Sequence, residues 1–157
     1  MYRIRFIIAF IFFISVFSVS AQLDSTFSLP KTWEKELVIS LSHHSSMSGG
    51  KTEIRLTYDS CIYFSQQSHS KKPKTRTYKM KEADRAWILQ KLTELKIDQV
   101  KSESGVHAVH DGWSQTICFS LHCLDGGTSA EMTEHDKNVF LDAYRCLEDF
   151  ASKKYYV

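Results

Sequence analysis

Glu53-Ile54-Arg55-Leu56-Thr57-Tyr58 decides the class of this fold. Ile54, Leu56 and Tyr58 alternate with Glu53, Arg55 and Thr57, and a period of two marks a strand with one buried face and one wet face. Upstream, Leu37, Val38, Ile39 and Leu41 read as a first strand. It meets the second through the turn Ser45-Ser46-Met47-Ser48-Gly49-Gly50, dense in residues that adopt turn conformations or bond locally to the backbone. Downstream, Asp59-Ser60 turns the chain into a third strand, Cys61-Ile62-Tyr63-Phe64-Ser65. A polar loop over 66–74 then leads to an edge strand over 75–80. The first half is an antiparallel meander.

Helical spacing takes over after it. Ile88, Leu92 and Leu95 recur at i, i+4 and i+7, flanked by Trp87 and Leu89, which predicts a helix over 82–96. Ser114 to Cys123 alternates as one strand, with Ile117, Phe119, Leu121 and Cys123 on one face and Thr116, Cys118, Ser120 and His122 on the other. Asp125-Gly126-Gly127 reads as a turn, with a short return strand over 128–132. Thr133 with Asp136 three residues later resembles a capping box. It opens a helix over 134–152 that buries Phe140, Ala143, Leu147 and Phe150. The expected fold is α+β, in the order ββββ-α-ββ-α, with both helices packed on one face of an antiparallel sheet.

The N-terminus sets the compartment. Arg3 and Arg5 precede an apolar run from Phe6 to Phe17, and Val19-Ser20-Ala21 places small residues at a cleavage site. This is the pattern of a signal peptide over 1–21. About 12 apolar residues fall short of the ~20 that span a bilayer, so no stable membrane insertion is expected after cleavage. A flexible lead-in over 22–35 and a single domain over 36–157 follow, in a periplasmic or secreted protein. Removing Arg3 and Arg5 from the 20 basic residues leaves 18 against 18 acidic ones. That balance argues against nucleic acid or an anionic membrane as the main partner.

In an oxidising compartment Cys61, Cys118, Cys123 and Cys146 read as up to two disulfides, with buried thiols or a metal site as the competing possibilities. On the strand phases above, Cys61 and Cys118 share the outer face of the sheet. Cys123 and Cys146 lie between sheet and helix. The expected bridges are therefore Cys61–Cys118 and Cys123–Cys146, contributing ~3–4 kcal/mol each in the chain-entropy model.

No catalytic motif stands out. Met47-Ser48-Gly49-Gly50 lacks the first glycine of a nucleophile elbow, and the carboxylates Asp142, Glu148 and Asp149 fall on the polar side of a helix. His43 and His44, with His107, His110 and Asp111, could gather into a metal or acid–base site, but neither histidine pair has the spacing of a zinc helix. No cofactor and no metal are expected. Two segments suit protein binding instead. One is the first loop, comprising His43, His44, Ser45, Met47, Ser48, Gly49 and Gly50. The other is the stretch from Ser70 to Lys81, where six of twelve residues are basic, among them Lys71, Lys72, Lys74 and Arg76. Lysine on an edge strand also guards against edge-to-edge aggregation.

The first strand running into Ser45–Gly50, then a meander, a Leu-rich helix, an Asp-Gly segment beside a strong strand and a final helix, resembles the emfourin-like protein inhibitors of thermolysin-like metallopeptidases. The likeness spans residues 36–152 in element order, with Ser48-Gly49-Gly50 as its motif. The signal peptide, the four cysteines and the basic edge depart from that pattern. The resemblance implies a peptidase inhibitor acting through the first loop. The expected function is that of an exported, non-enzymatic binding protein whose partner is a peptidase or a toxin, the latter making it an immunity protein. A small His- or metal-dependent enzyme is the alternative from another class.

Overall fold

The computed structural model describes residues 27–45, 49–67, 72–104, 112–128 and 130–155. Strands β1 (Ile39–Ser45), β2 (Lys51–Leu56), β3 (Ser60–Gln66) and β4 (Lys74–Lys79) form the meander. Helix α1 (Glu82–Glu94) and a 3-10 turn (Ile97–Gln99) follow, then β5 (Glu103–Ser104), β6 (Trp113–Phe119), β7 (His122–Gly127), β8 (Ala130–Glu131) and helix α2 (Glu134–Tyr155). Six strands make one antiparallel sheet in the order β4-β3-β2-β1-β6-β7, while β5 and β8 pair in a small second sheet. The chain is α+β, and both helices cover the same face, as the periodicity implies.

That face holds the core. Ile39 and Leu41 of β1, Ile54 and Leu56 of β2, Ile117 and Phe119 of β6 and Leu124 of β7 meet Ile88, Leu89 and Leu92 of α1 and Phe140, Ala143, Tyr144 and Leu147 of α2. The α2 start forms as the sequence indicates: the Thr133 hydroxyl accepts from the Asp136 N–H (3.1 Å) and donates to its carboxylate (2.8 Å). On α1 the Asp84 carboxylate accepts from the Lys81 N–H (3.0 Å), closing the first turn. Trp87 departs from expectation. It is 40 % exposed and stacks on Phe150 of α2, with ring centroids 5.8 Å apart, at the rim of the helix layer.

The lead-in is corrected where it is described. Residues 27–35 dock on the core rather than trailing from it. Trp33 is buried and its indole N–H donates to the Leu37 carbonyl at 3.1 Å. Phe27 stacks on Phe119 (4.8 Å) and on His122 (4.7 Å). The signal-peptide segment lies outside the described residues.

The single strand expected over 114–123 is instead a hairpin. Phe119 and His122 flank a two-residue turn, Ser120-Leu121, in which Ser120 takes a positive φ of 55°. The turn is tied to the segment before β1, since the Ser120 N–H donates to the Val38 carbonyl (2.7 Å) and its hydroxyl to the Glu36 carbonyl (3.2 Å). Asp125-Gly126-Gly127, expected to turn, runs on as β7. The cysteine pairing changes with it. Cys118 and Cys123 are direct cross-strand partners and form a disulfide, with Cα atoms 4.0 Å apart.

Cys61 and Cys146 are free thiols, so both expected bridges are overturned. Cys61 also faces inward, not outward. The Thr57 N–H donates to the Ser60 carbonyl (2.8 Å), which sets Cys61 opposite the buried Leu56 and gives it Leu56's face.

Candidate functional site

The antiparallel order brings the ends of β1, β3 and β7 to the same side as the starts of β2, β4 and β6. Across the sheet this end reads Lys74, Gln66, Lys51, Ser45, Trp113 and Gly127. The two segments singled out from sequence therefore open onto one end of the molecule. The ends of the first loop are joined by backbone hydrogen bonds. Gly49 donates to the Ser45 carbonyl (2.9 Å) and Ser45 to the Gly50 carbonyl (3.3 Å). Gly49 sits at φ 58°, a left-handed conformation that glycine takes without steric cost. Met47 and Ser48 lie outside the described residues, as does Lys71.

His43 and His44 belong to β1 rather than to the loop, and strand alternation sends them to opposite faces. His43 shares the helix-side face with its cross-strand neighbours Thr52 and Gln115. Its ring lies 6.5 Å from that of Trp113. Its Nδ1 and the Gln115 Oε1 are both shut off from solvent without a hydrogen-bond partner. His44 is exposed on the outer face between Lys51 and Ser114, and Lys51 pairs with Glu53 at 2.6 Å. The two side chains therefore do not converge. His107, His110 and Asp111 lie outside the described residues, and among the described ones no three His, Cys, Asp or Glu side chains gather as metal ligands.

The basic stretch is divided by the same alternation. Lys74 and Arg76 fall on the helix-side face in line with Tyr63 and Tyr78, whereas Lys79 falls on the outer face. It is a two-sided charged margin along the edge strand.

Two features of this end were not found from sequence. Trp113 is 38 % exposed at the start of β6. Beside it a cavity of about 140 Å³ opens between β7, β8 and α2, walled by Gly126, Gly127, Met132, Phe140 and Leu141, with Glu134 and Lys137 at its polar side. An aromatic plate next to a small recess of mixed polar and apolar lining can hold one side chain of a partner, with Glu134 and Lys137 beside it to bond polar atoms. The signal in the sequence was the tryptophan itself, an expensive residue to expose at the end of a strand. No described helix is long and apolar enough to cross a membrane. No protein-family model and no curated protein matches the chain.

Proposed function

We propose that the chain is an exported, non-enzymatic binding protein that captures another protein through the loop end of its sheet. The observation that carries this reading is the placement of Trp113 and its recess beside Ser45, where the first loop leaves β1, on a sheet backed by a two-helix layer. Binding residues are commonly borne on loops that a rigid scaffold positions. An aromatic anchor beside a small pocket, ringed by polar groups, is the arrangement that concentrates binding energy.

The disulfide is consistent with an oxidising compartment, since such bonds persist mainly outside the cytosol. The meander–helix–strand–helix order and the closed Ser45–Gly50 turn support the narrower proposal that the chain inhibits a thermolysin-like metallopeptidase. An immunity protein that neutralises a toxin would use the same surface.

Titration of the purified mature chain against a thermolysin-like peptidase, beside affinity capture from the native cell envelope, tests both levels. Stoichiometric loss of peptidase activity is expected. It should be abolished in a Trp113→Ala, His44→Ala, Met47→Ala variant that keeps its thermal stability within about 1 kcal/mol, as surface changes usually do. Inhibition that survives in that variant moves the site elsewhere. If neither inhibition nor a captured protein is found, the binding reading falls.

A further inference from the structure

β4 ends the sheet, and among the described residues no strand pairs with its far side. The phase of its hydrogen bonds decides what that side offers. Met80 donates to the Asp59 carbonyl (2.9 Å), which continues the β3–β4 register by one position. Antiparallel pairs alternate between bonded and unbonded rungs. Lys74, Arg76 and Tyr78 therefore turn their backbone groups toward β3, and Thr75, Thr77 and Lys79 turn theirs away from it. Among the described residues no backbone hydrogen bond takes up these outward groups.

The side chains of the row itself are basic or neutral. On the helix-side face stand Lys74, Arg76 and Tyr78. The Lys154 ammonium of α2, 4.9 Å above the Tyr78 ring, is paired with Asp84 (3.2 Å), so the positive charge that faces the edge comes from Lys74, Arg76 and Lys79. On the outer face stand Thr75, Thr77 and Lys79.

We propose that this edge takes an added antiparallel strand from an acidic, extended segment of a partner protein. The proposal rests on the reading of the chain as a binding protein and adds the chemistry of one contact. Strand addition uses main-chain bonds for affinity and flanking side chains for selectivity. The lysines that keep a second copy's like-charged edge away are the same groups that favour carboxylates, so exclusion of self and choice of partner come from one set of residues.

A blocked peptide of alternating glutamate and threonine, added to the mature full-length chain and followed by amide NMR, tests this. Shifts centred on Thr75, Thr77 and Lys79 are expected, weakening as salt rises. A peptide of the same sequence, N-methylated on alternate residues, should bind about tenfold more weakly, the loss of one or two backbone hydrogen bonds. Thr77→Pro should weaken the parent peptide by a similar factor, since proline is tolerated where an edge N–H faces solvent. Circular dichroism checks that this variant stays folded, and the N-methylated peptide decides the matter if it does not.

Equal binding of the N-methylated peptide, or of dextran sulfate in place of any peptide, overturns strand addition in favour of plain charge attraction. Absence of shifts at this edge overturns it outright. Peptidase inhibition or partner capture that depends on Trp113 would persist in either case, so failure of this proposal is separable from failure of the binding reading.

Discussion

The ring of Phe140 occupies the space that a side chain at Gly126 would need. Phe140 is among the most buried of the described residues and its ring is seated against Gly126 at the wall of the recess beside Trp113, so an added side chain there must displace ring or helix. Gly126→Ala should therefore push α2 off β7 and cost about 1–3 kcal/mol, the usual range for overpacking. Denaturant unfolding of the two proteins measures it. A change below about 0.5 kcal/mol would mean that the helix seats more loosely on the sheet than this contact implies.

Gly126 also shows where sequence reasoning stopped. Gly126-Gly127 after Asp125 carries a strong turn signal, yet here the missing side chain serves close helix–sheet approach. The true turn is made by Ser120 and Leu121, a pair with no such signal. It holds because the Ser120 backbone and hydroxyl are bonded to the segment at Glu36 and Val38, a tertiary constraint that local pattern cannot reveal. The phase of β3 was missed for a different reason. Ile62 and Phe64 are half-buried on the outer face while Cys61 and Tyr63 face the core, so apolar alternation alone is ambiguous. Counting the register from Leu56 through the Thr57–Ser60 turn would have given it.

Where one face is plainly apolar and the other plainly polar, as in β2 and α2, periodicity alone places the element and its buried side. The candidate segments were legible as segments. That they open onto one end of the sheet follows from strand order, which one sequence does not encode locally.

The docked lead-in makes its own prediction. Trp33 fills part of the core and hydrogen-bonds the Leu37 carbonyl. Trp33→Ala should cost about 3–5 kcal/mol, as for other buried aromatic truncations. Loss of stability on that scale, read from thermal or denaturant unfolding, would mark residues 27–35 as part of the domain. An effect under about 1 kcal/mol would return them to the status of a tail.

Asp84 links the edge strand to both helices. Its carboxylate accepts from the Lys81 N–H (3.0 Å) and the Tyr78 hydroxyl (3.2 Å) and pairs with Lys154 (3.2 Å), its side chain only 12 % exposed. Burial by itself raises its pKa, but the Lys81 N–H, Lys154 and Tyr78 together hold it below the usual carboxylate value of 3.8. A depressed folded pKa contributes stability that is present above the unfolded value and lost as pH falls through the folded one. Asp84→Asn should therefore cost about 1–3 kcal/mol near neutral pH, the range for hydrogen bonds to a charged group. The gap to the parent should close as pH drops below about 4. Melting curves taken across that range decide it, and a gap that stays constant with pH would remove the charge from the explanation.

Cys118 and Cys123 bridge a hairpin, so the loop they close is short, and the chain-entropy model gives about 2 kcal/mol for it rather than the larger value of the long-range bridges expected from sequence. The Cys118→Ser, Cys123→Ser double variant should lose no more than that. The remaining cysteines should differ in reactivity. Burial, with a smaller contribution from the Asp84 charge, pushes the Cys61 thiol up to about 11, and its side chain is closed into the core. Burial also raises Cys146, but Lys91 and Lys153 oppose that rise, and its side chain lines a cavity of about 530 Å³ between the helices with Trp87 and Phe150. Because the thiolate is the reacting form, alkylation should speed up with pH. In the native protein iodoacetamide should mark Cys146 well before Cys61, which should react only once the chain unfolds. Non-reducing peptide mapping should then find Cys118 joined to Cys123. Native Cys61 labelled as fast as Cys146, or Cys61 found in a bridge, would overturn the inward phase of β3 along with the pairing.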